Sequence, residues 1–554
     1  MAESARYETS EEVDFVIVGS GAAGGVLAKE LSTNGFSVVV LEQGEYRRSS
    51  DFNHDELDVM FNGGMAGGFM RDHPQTFRPT PSDPATVPGM IPAAWYAHTV
   101  GGSSVHFSGN YWRFRPEDFK ERSMLGEIAG TGFADWPLTY EELEPYYTKV
   151  EWEIGVSGEP GPYDAPRSRP YPMPPLPVKS SGVLFERGAR KIGLQPQAAP
   201  LAILSQPFNG RGPCIHCGFC LGFGCESGAK SSTMISMIPI AEATGRCEIR
   251  PLSTVMKLNS DKQGRIRDVL YVDAQGKEHA QRARAVIVAA NGAETPRLLF
   301  LSATQSQPQG LANSSGLVGK YMMFNGHSAA HGAFQNPLNE YKGVQCSRIA
   351  LDHYSTDPKR GYYGGGGLDA RPFISATPIL YALNGLPPGT PTWGRGYKQA
   401  LRHYFTHSMA VLGSTTSLAV ADNGVDLDPE IKDKWGRPAL RVTYTDHPDD
   451  LATASFLQDQ AIEILDAAGA SETWRSPVAA QSSGVHLLGT CRMGDDPATS
   501  VTDRYHRTHD VRNLFICDGS SFVTSGRGQP TMTIQALAFR AAEHIGQFAR
   551  RNEI

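Results

Sequence analysis

The chain has 554 residues, of which 40% are hydrophobic, and it carries a formal net charge of -7 at pH 7. This length is enough for two large domains or for one composite fold. No run of basic residues stands out, which argues against a nucleic-acid partner. There is also no apolar stretch of about 18 residues that would predict a transmembrane helix. Residues 1–12 are polar and acidic and lack the basic and apolar segments of a secretory signal, so taken alone they indicate a cytoplasmic protein.

A pattern typical of dinucleotide binding opens the chain. The apolar residues 13–18 predict a buried parallel strand, a glycine motif occupies residues 19–24, and a helical pattern continues to Thr33. Residues 37–41 predict a second strand, which ends at Glu42. The alternative is a strand–helix–strand unit without a nucleotide. We favour the nucleotide, because strand, glycines, helix, strand and terminal acid together are the context that the fingerprint requires.

The positions of this motif have separate physical roles. Gly19 permits a tight turn, Gly21 lets the backbone approach a pyrophosphate, and Gly24 allows the helix to pack closely on the strand. The N-terminus of the helix supplies unpaired N–H groups and the positive end of a dipole. Glu42 is placed to accept hydrogen bonds from ribose hydroxyls.

The nucleotide-binding unit is predicted to be discontinuous. Residues 285–290 predict another buried strand that leads into a helix at residues 291–299. Near the C-terminus, residues 513–517 predict a strand that ends at Asp518. Such pieces at the start, middle and end of the chain favour FAD over NAD as the dinucleotide.

Five motifs in the right order resemble the glucose–methanol–choline (GMC) oxidoreductase family. They are the opening glycine motif and the segments Val100-Gly101-Gly102-Ser103-Ser104, Trp136-Pro137-Leu138-Thr139-Tyr140, Ala293-Glu294-Thr295-Pro296-Arg297 and His486-Leu487-Leu488-Gly489-Thr490. The resemblance implies an α/β fold, or α+β composite. It combines a Rossmann-like FAD-binding domain of the p-hydroxybenzoate hydroxylase type with a substrate domain built on a mostly antiparallel sheet.

The predicted domains interleave along the chain. The FAD-binding domain comprises residues 1–50, 93–135, 226–320 and 506–554, and the substrate-binding domain comprises residues 136–213 and 321–505. Residues 51–92 are rich in Gly, Met, Pro and Asp and are predicted as a loop or lid region near the active site. The cysteine-rich residues 214–225 form a separate insert.

The resemblance implies a set of FAD contacts. Gly101 to Ser104 offer backbone that can pass close to the isoalloxazine ring. In the related pyranose oxidases, a histidine at the place of His106 is bonded to the flavin 8α-methyl. The alternatives for His106 are therefore a covalent flavin and a polar loop histidine beside the ring. The full candidate set is Gly19, Gly21, Ala22, Ala23, Gly24, Glu42, Gln43, Gly101, Gly102, Ser103, Ser104, His106, Asn110, Val255, Ala290, Asp518, Gly519, Pro530 and Thr531.

The resemblance also implies how a hydroxyl would be oxidised. A base removes the hydroxyl proton while a hydride moves to flavin N5, and a histidine with its ordinary pKa of about 6.5 suits that base. His486 matches the base position of the family, and the alternative is a structural histidine. Where the family has His or Asn before its last helix, this chain has Gln529. The Gln529 amide can bond to a substrate oxygen but cannot serve as a second base. The alternative is that Gln529 only caps the helix that Pro530 and Thr531 open.

Four of the eight cysteines lie close together, as Cys214-x-x-Cys217-x-x-Cys220-x-x-x-x-Cys225. Structural zinc usually pairs two short spacings across a longer one, and disulfides between cysteines three apart form strained rings. Free thiols in such a run would be an oxidation hazard. An iron–sulfur cluster fits best, because the spacing resembles the ferredoxin run C-x2-C-x2-C-x3-C-P, although the last gap is one residue longer and the proline is missing. The other cysteines are predicted to be buried small hydrophobic residues: Cys247, Cys346, Cys491 and Cys517.

A GMC subgroup carries a cluster in this place. It contains the large subunits of bacterial gluconate, fructose and FAD-dependent glucose dehydrogenases and of glycoside 3-dehydrogenases. Their cluster is 3Fe–4S held by three thiolates, whereas this chain offers four, so 4Fe–4S stays open. The resemblance implies an FAD-dependent dehydrogenase that oxidises a hydroxyl of a sugar, glycoside or aldonate and passes electrons through the cluster. The alternatives are an oxidase that uses O2 directly, a hydroxynitrile-lyase-like activity and a non-enzymatic electron-transfer subunit.

The resemblance further implies partners and a location. Relatives with this cluster work beside a small subunit, which aids export and maturation, and a cytochrome c that accepts the electrons. The cytochrome anchors the complex to the bacterial inner membrane. A periplasmic enzyme that meets the membrane only through its partners is therefore expected, with a cytoplasmic enzyme as the alternative.

Overall fold

The computed structural model describes residues 6–59, 72–89, 91–372 and 378–554. In chain order its strands are β1 (Val13–Val18), β2 (Val38–Leu41), β3 (Gln75–Arg78), β4 (Gln197–Ala198), β5 (Cys247–Arg250), β6 (Thr254–Ser260), β7 (Ile266–Val272), β8 (Glu278–Val288), β9 (His327–Ala333), β10 (Arg348–Ala350), β11 (Gly366–Arg371), β12 (Ser408–Thr415), β13 (Gly424–Lys432), β14 (Pro438–Thr443), β15 (Glu472–Arg475) and β16 (Leu514–Ile516). Its α-helices are α1 (Ala22–Thr33), α2 (Glu121–Leu125), α3 (Tyr140–Ile154), α4 (Ser180–Lys191), α5 (Thr233–Ser236), α6 (Ile238–Ala243), α7 (Asn291–Leu301), α8 (Pro378–Asn384), α9 (Gly394–His407), α10 (Pro448–Ala468) and α11 (Thr531–Arg550).

The first sheet surrounds the opening glycine motif. Its strand order is β5-β2-β1-β8-β7-β6, and β16 pairs with the C-terminal end of β8. The strands β5, β2, β1, β8 and β16 are parallel to one another, whereas β6, β7 and the start of β8 form an antiparallel meander. Phe15 and Ile17 pack with α1 and α11 on one face, and Val16 and Val18 pack with α7 on the other. Because both faces are covered, β2, β16 and the C-terminal ends of β1 and β8 are continuous apolar runs.

The second sheet has the order β15-β9-β12-β11-β10-β4 and is antiparallel throughout. Ala330, Val411 and Leu368 lie on one face of it, where they pack with Leu457 of α10 and Phe185 of α4. Successive side chains of a strand point to opposite faces, so the alternate residues of β9, β11 and β12 point away from these helices.

The third sheet joins a segment that the sequence did not predict as a strand. Its order is β13-β14-β3, with β14 and β3 parallel. β3 lies within residues 51–92, so part of the predicted loop or lid region is regular structure. Residues 60–71 and 90 of that region lie outside the described residues.

The predicted α/β fold class is confirmed, as are the strands expected at residues 13–18, 37–41, 285–290 and 513–517. The domain boundaries stay a prediction. Helix α3, which they place in the substrate-binding domain, packs with α1 and α11 in the core of the first sheet. Across the described residues, no helix is both long and apolar enough to cross a membrane.

Candidate active site and cofactor site

Two glycines of the opening motif, Gly19 and Gly24, are packed so closely that a side chain would not fit at either. Gly19 has a φ of +93°, and a Cβ on it would lie 2.5 Å from the carbonyl oxygen of Ala289. A Cβ on Gly24 would lie 2.0 Å from the carbonyl oxygen of Gly19. The tight turn and the close packing of helix on strand, both expected from the sequence, are therefore present.

A second glycine loop abuts the first. Gly102 has a φ of +61°, and a Cβ on it would lie 2.7 Å from the Cα of Gly21. The Gly101 N–H donates to Ser20 Oγ at 3.1 Å, and the Thr233 hydroxyl donates to the Ser20 carbonyl at 3.2 Å. Two stretches of bare backbone thus meet beside the N-terminus of α1, which is the surface that a pyrophosphate needs. Sequence reasoning missed Thr233 because it belongs to no motif.

Glu42 braces the glycine motif from the end of β2. Its Oε2 accepts from the N–H of Ser20 at 3.0 Å and from the Ser20 hydroxyl at 2.8 Å, while its Oε1 accepts from the N–H of Gly44 at 2.9 Å. Burial raises the pKa of Glu42. The backbone N–H of Gln43 adds a further hydrogen bond to this carboxylate, which offers about four acceptor sites. The ribose contact itself stays a prediction.

The residues after β16 meet the loop that carries the predicted base. Asp518 Oδ2 accepts from the N–H of Asn291 at 3.0 Å, and burial raises the pKa of Asp518. A Cβ on Gly519 would lie 2.4 Å from the carbonyl oxygen of Leu487, and a Cβ on Gly292 would lie 2.3 Å from it. Only glycine at both positions lets the 486–490 loop approach the first sheet. Gly292 is a second residue that the motif analysis did not select.

The other candidate cofactor residues lie on separate elements. Gln43 follows Glu42, Ala290 precedes α7, and Thr531 begins α11 with Pro530 at its N-cap. Val255 lies in β6, and its carbonyl accepts from Arg437 at 2.9 Å. The roles of these residues, and of Ala22, Ala23, Ser103 and Ser104, stay predictions.

His106 follows the short 3-10 helix Gly102–Val105. Its Nδ1 lies 3.2 Å from the carbonyl oxygen of Gly222, and the Gly222 N–H donates to the carbonyl oxygen of His106 at 2.7 Å. Burial, assisted by the Lys230 ammonium, lowers the pKa of His106 to about 4. The ring is therefore neutral at physiological pH, with Nδ1 bonded to protein and Nε2 left for a flavin contact. Both alternatives for His106 stay open.

His486 lies beside a second imidazole that no motif indicated. The ring centroids of His486 and His327 are 5.8 Å apart. Burial lowers the pKa of His486 to about 3, and His327 and Arg371 add to the effect. The surrounding protein and Arg371 lower the pKa of His327 to about 4, although its side chain remains accessible to solvent. Both rings are therefore neutral at physiological pH.

His327 lies on the polar face of the second sheet. Cross-strand partners share a face, and the register pairs His327 with Ser414, Asp369 with Leu412, and Arg371 with Ala410. The Arg371 guanidinium donates through Nε and Nη2 to the two oxygens of Asp369, the latter at 2.7 Å. We call the set His327, Asp369, Arg371 and Ser414 the polar sheet face. One side of this sheet thus serves packing, and the other presents polar groups.

Several buried polar atoms near this face have no hydrogen-bond partner among the described residues. They are Oδ1 of Asn110, Nε1 of Trp112, Oγ of Ser414 and Nδ1 of His486. A Cβ on Gly367, in β11, would lie 2.7 Å from the Trp112 ring. Leaving a buried polar atom unpaired costs about 1–3 kcal/mol. The arrangement therefore fits a ligand with several hydrogen-bonding groups, and both FAD and a hydroxylated substrate have such groups.

The segment that carries Gln529 reaches the same region. A Cβ on the preceding residue, Gly528, would lie 2.9 Å from the Cβ of Ser414. Pro530 is the N-cap of α11, which has no side-chain cap hydrogen bond. The Gln529 side chain is half-buried, and both alternatives for it stay predictions.

The clustered thiols influence one another electrostatically. Burial raises the pKa of Cys220 to about 12; the Lys230 ammonium opposes this effect, and the charges of Cys214, Cys217 and Cys225 add to it. All eight cysteines of the chain are free. In the part of the chain that the structure describes, however, no group of three or more His, Cys, Asp or Glu side chains is arranged to hold a metal ion. The iron–sulfur ligands therefore stay a prediction. The burial expected of the other cysteines is confirmed: Cys247, Cys346, Cys491 and Cys517.

A buried lysine lies between the thiols and the flavin-binding loop. Lys230 is 3% exposed, and its ammonium donates to the carbonyl oxygens of Phe107 at 2.9 Å, Phe223 at 2.7 Å and Cys220. Its backbone N–H donates to Cys225 Sγ at 3.4 Å. No described carboxylate pairs with it, and the charged groups that act on it are cysteines. A buried ammonium with only neutral partners is costly, so thiolates beside it would stabilise it. The positive charge of this site therefore suits a cluster held by thiolates, although the described cysteine side chains are not arranged around a common metal position.

Comparison with known proteins agrees with this architecture. A model described as GMC oxidoreductase matches residues 13–323, and a second with the same description matches residues 419–538. The chain is 34% identical to the 2-methyl-1,2-propanediol dehydrogenase of Mycolicibacterium austroafricanum, over 97% of this chain and 96% of that protein. It is 31% identical to the fructose dehydrogenase large subunit of Gluconobacter japonicus, over 96% of this chain and 97% of that protein. The solved structure of pyridoxine 4-oxidase from Mesorbium loti shares the fold, with a TM-score of 0.64 at 18% identity over 96% of this chain and 99% of that one.

The abutting glycine loops on a mixed α/β sheet define a flavin-dependent oxidoreductase. The chain belongs to the GMC oxidoreductase family, and the resemblance found in its motifs is confirmed. FAD is the cofactor that this fold binds.

Proposed function

We propose that this enzyme is an FAD-dependent dehydrogenase that oxidises a hydroxyl group of a sugar, a glycoside or an aldonate. The observation that carries the proposal is a neutral His486 beside a polar sheet face, with buried polar atoms that lack a partner in the described residues. A molecule with several hydroxyls offers both donors and acceptors to such atoms. Two relatives are named for hydroxylated compounds, 2-methyl-1,2-propanediol and fructose, which supports this substrate class.

His486 acts as the base in this proposal. Because burial holds its pKa at about 3, the imidazole is unprotonated at physiological pH and can take the hydroxyl proton. Bound FAD supplies the acceptor for the hydride that leaves the same carbon. Gln529 bonds through its amide to a substrate oxygen, and Glu42 with the two glycine loops holds the ADP part of the cofactor.

Anaerobic reduction of the bound flavin tests the substrate class. The panel contains glucose, fructose, gluconate, a methyl glycoside and 2-methyl-1,2-propanediol, and the signal is the loss of visible flavin absorbance. We expect at least one of the first four to bleach the flavin. Bleaching by the diol alone, or by none, would contradict the proposal. Release of peroxide at the turnover rate in air would identify an oxidase instead.

The His486→Ala variant tests the base. Positioned proton transfer is typically worth about 10²–10⁴ in rate, so the flavin reduction rate should fall by that factor. His279, which bonds to Asp273 at 2.8 Å in the β7–β8 hairpin, provides the matched control as His279→Ala. A His486→Ala enzyme with the rate of this control would remove the base assignment.

We further propose that Cys214, Cys217, Cys220 and Cys225 provide the ligands of an iron–sulfur cluster, 3Fe–4S rather than 4Fe–4S. When bound, such a cluster carries single electrons to an acceptor, here a cytochrome c. Two features support its place. Lys230 puts an uncompensated positive charge beside the thiols, and the His106–Gly222 hydrogen bonds join the flavin loop directly to the cysteine insert.

Iron and acid-labile sulfide assays on anaerobically purified protein test the cluster. Cys220→Ser should lose iron and keep FAD, whereas Cys346→Ser, at a buried cysteine outside the insert, should keep both. Lys230→Met should also lose iron, because the thiolates lose their compensating charge. Purified wild-type protein without iron, or full iron after all four clustered cysteines are replaced by Ser, would reject the cluster. Equal iron in the Cys220→Ser and Cys346→Ser variants would instead identify Cys220 as the thiol that does not bind iron.

We also propose that the enzyme is periplasmic and works with a small subunit and a cytochrome c. The proposal is supported by the relative that is named as a large subunit. Fractionation of native cells, followed by affinity purification, tests it. A chain that stays in the cytoplasmic fraction and purifies alone would contradict it.

A further inference from the structure

Among the described residues, none forms a hydrogen bond with the ring of the solvent-accessible His327 or of His486, whereas several other histidine rings of this chain are bonded. His331 bonds to Ser476 at 3.0 Å, His353 to Gln460 at 3.1 Å, and His506 to the carbonyl of Ile516 at 2.9 Å. By contrast, only burial and neighbouring charges act on His327 and His486. Nδ1 of His486 is buried without a partner in the described residues. Two adjacent imidazoles are thus left with nitrogens free for a ligand.

We propose that His327 is the second imidazole of the active site and donates a hydrogen bond from its ring N–H to the reacting hydroxyl oxygen, opposite His486. This inference rests on the proposed function and adds a residue from the substrate sheet to it. Hydrogen bonds of this type span about 2.7–3.0 Å between heavy atoms. Ring centroids 5.8 Å apart, with planes tilted by 51°, leave room for one oxygen that bonds to both rings.

The role follows from the charge that develops on this oxygen. As the substrate reacts, the O–H bond breaks and its proton joins His486, while the C–H bond breaks and its electron pair leaves with the hydride to the flavin. The oxygen carries partial negative charge until it becomes a carbonyl. A preorganised donor at this point stabilises the transition state more than the bound substrate. A neutral imidazole with one N–H can be that donor.

Neighbouring groups hold His327 in this role. His327 begins β9. Asn325, two residues before it, is buried and donates through Nδ2 to the carbonyl of Thr415 at 3.1 Å and to that of Gly526 at 3.3 Å. The strand end is therefore tied to the segment that precedes Gln529. Arg371, fixed by Asp369, adds a positive charge that keeps the ring from taking up a proton. The charge of Arg371 acts on both rings, and His327 also acts on His486.

Single-turnover flavin reduction tests the proposal, with any substrate that bleaches the wild-type enzyme. Removing one oxyanion-stabilising donor typically costs about 10²–10³ in rate. We expect His327→Ala to lower the limiting reduction rate by this factor and to raise the substrate Kd less than about tenfold. His327→Asn keeps an N–H donor, so its limiting reduction rate should be at least tenfold higher than that of His327→Ala. Gln529→Ala should cost less than His327→Ala, and His279→Asn is the control with an unchanged rate.

The outcomes separate this inference from the function on which it rests. If the wild-type enzyme is bleached by no member of the panel, the proposed function fails. If it is bleached and His327→Ala reduces its flavin within threefold of the wild-type rate, only the role of His327 is overturned. Equal losses in the Ala and Asn variants, both with full FAD content and an unchanged melting temperature, would also overturn it, because a hydrogen-bond donor would then bring no recovery.

Discussion

The substitution Arg527→Met should destabilise the enzyme strongly, because one guanidinium pairs with two buried carboxylates. Arg527 is fully buried; its Nη1 donates to Asp118 Oδ1 at 2.6 Å, its Nη2 donates to Glu121, and its Nε donates to the carbonyl of Tyr354 at 2.8 Å. Removing one partner of a buried ion pair typically costs about 3–5 kcal/mol. Since two carboxylates lose their partner here, we expect a loss near the upper end, about 5 kcal/mol. The matched control is Arg475→Met, whose pair with Asp459 is exposed and should contribute no more than about 1 kcal/mol.

The loss should depend on pH in a defined direction. Burial raises the pKa of Asp118 to about 6 even with Arg527 beside it, and without the guanidinium this pKa rises further. The folded state then binds a proton that the unfolded state, with an Asp pKa of about 3.9, releases. Stability therefore falls as the pH rises through this window, by up to about 1.4 kcal/mol per pH unit for one proton. Urea denaturation of the FAD-loaded proteins at about pH 8 and pH 6 measures it. The reasoning would be refuted if Arg527→Met lowered the free energy of unfolding by no more than about 1 kcal/mol beyond the effect of Arg475→Met. It would also be refuted if the loss in Arg527→Met were not smaller at about pH 6 than at about pH 8.

Three further predictions concern the cofactor site and the base. Gly102→Ala should purify without FAD, because its Cβ would lie 2.7 Å from the Cα of Gly21 and its φ is +61°. The control Gly35→Ala, with a φ of +93° but open space around it, should keep FAD. The flavin content of the two purified proteins checks this. Glu42→Gln should lower FAD affinity at least tenfold, as measured by FAD release on ultrafiltration, because an amide nitrogen cannot accept from Ser20 and Gly44 as both carboxylate oxygens do. The flavin reduction rate should not vary with pH from about 5 to 8, since the pKa values of His486 and His327 are lowered to about 3 and 4 and both rings lose their proton well below this range. A rate that falls with a midpoint near the ordinary histidine pKa of about 6.5 would contradict that assignment.

The first sheet could be predicted from sequence because its signals are local. β1, β2 and the end of β8 are short apolar runs, and the glycine motif stands directly between β1 and α1. Tertiary contacts are needed for Thr233 and Gly292. Each fits against a loop far away along the chain, Thr233 against Ser20 and Gly292 against Leu487, so no spacing in the sequence reveals them.

The base and its neighbour illustrate the same limit. His486 could be selected because it begins a motif, whereas His327 lies in a strand whose sequence, HSAAHGA, is mostly small residues. The register of β9 on β12, rather than any motif, brings His327 opposite Ser414 and onto the polar face. For the cysteines, spacing indicates ligand chemistry, but it does not give the positions of four flexible side chains relative to one another.

The two faces of the second sheet suggest how this fold separates stability from specificity. Ala330, Val411 and Leu368 pack against α4 and α10, so changes there would open cavities in the core. Asp369, Arg371 and His327 alternate with them along the same strands but face away from these helices. Because successive side chains of a strand point to opposite faces, residues on the polar face can be exchanged while the packed face stays intact. Substitutions at alternate positions of β9, β11 and β12 would therefore change the polar face without opening the core, and among them Arg371 is the residue whose charge, after burial, lowers the pKa of both imidazoles.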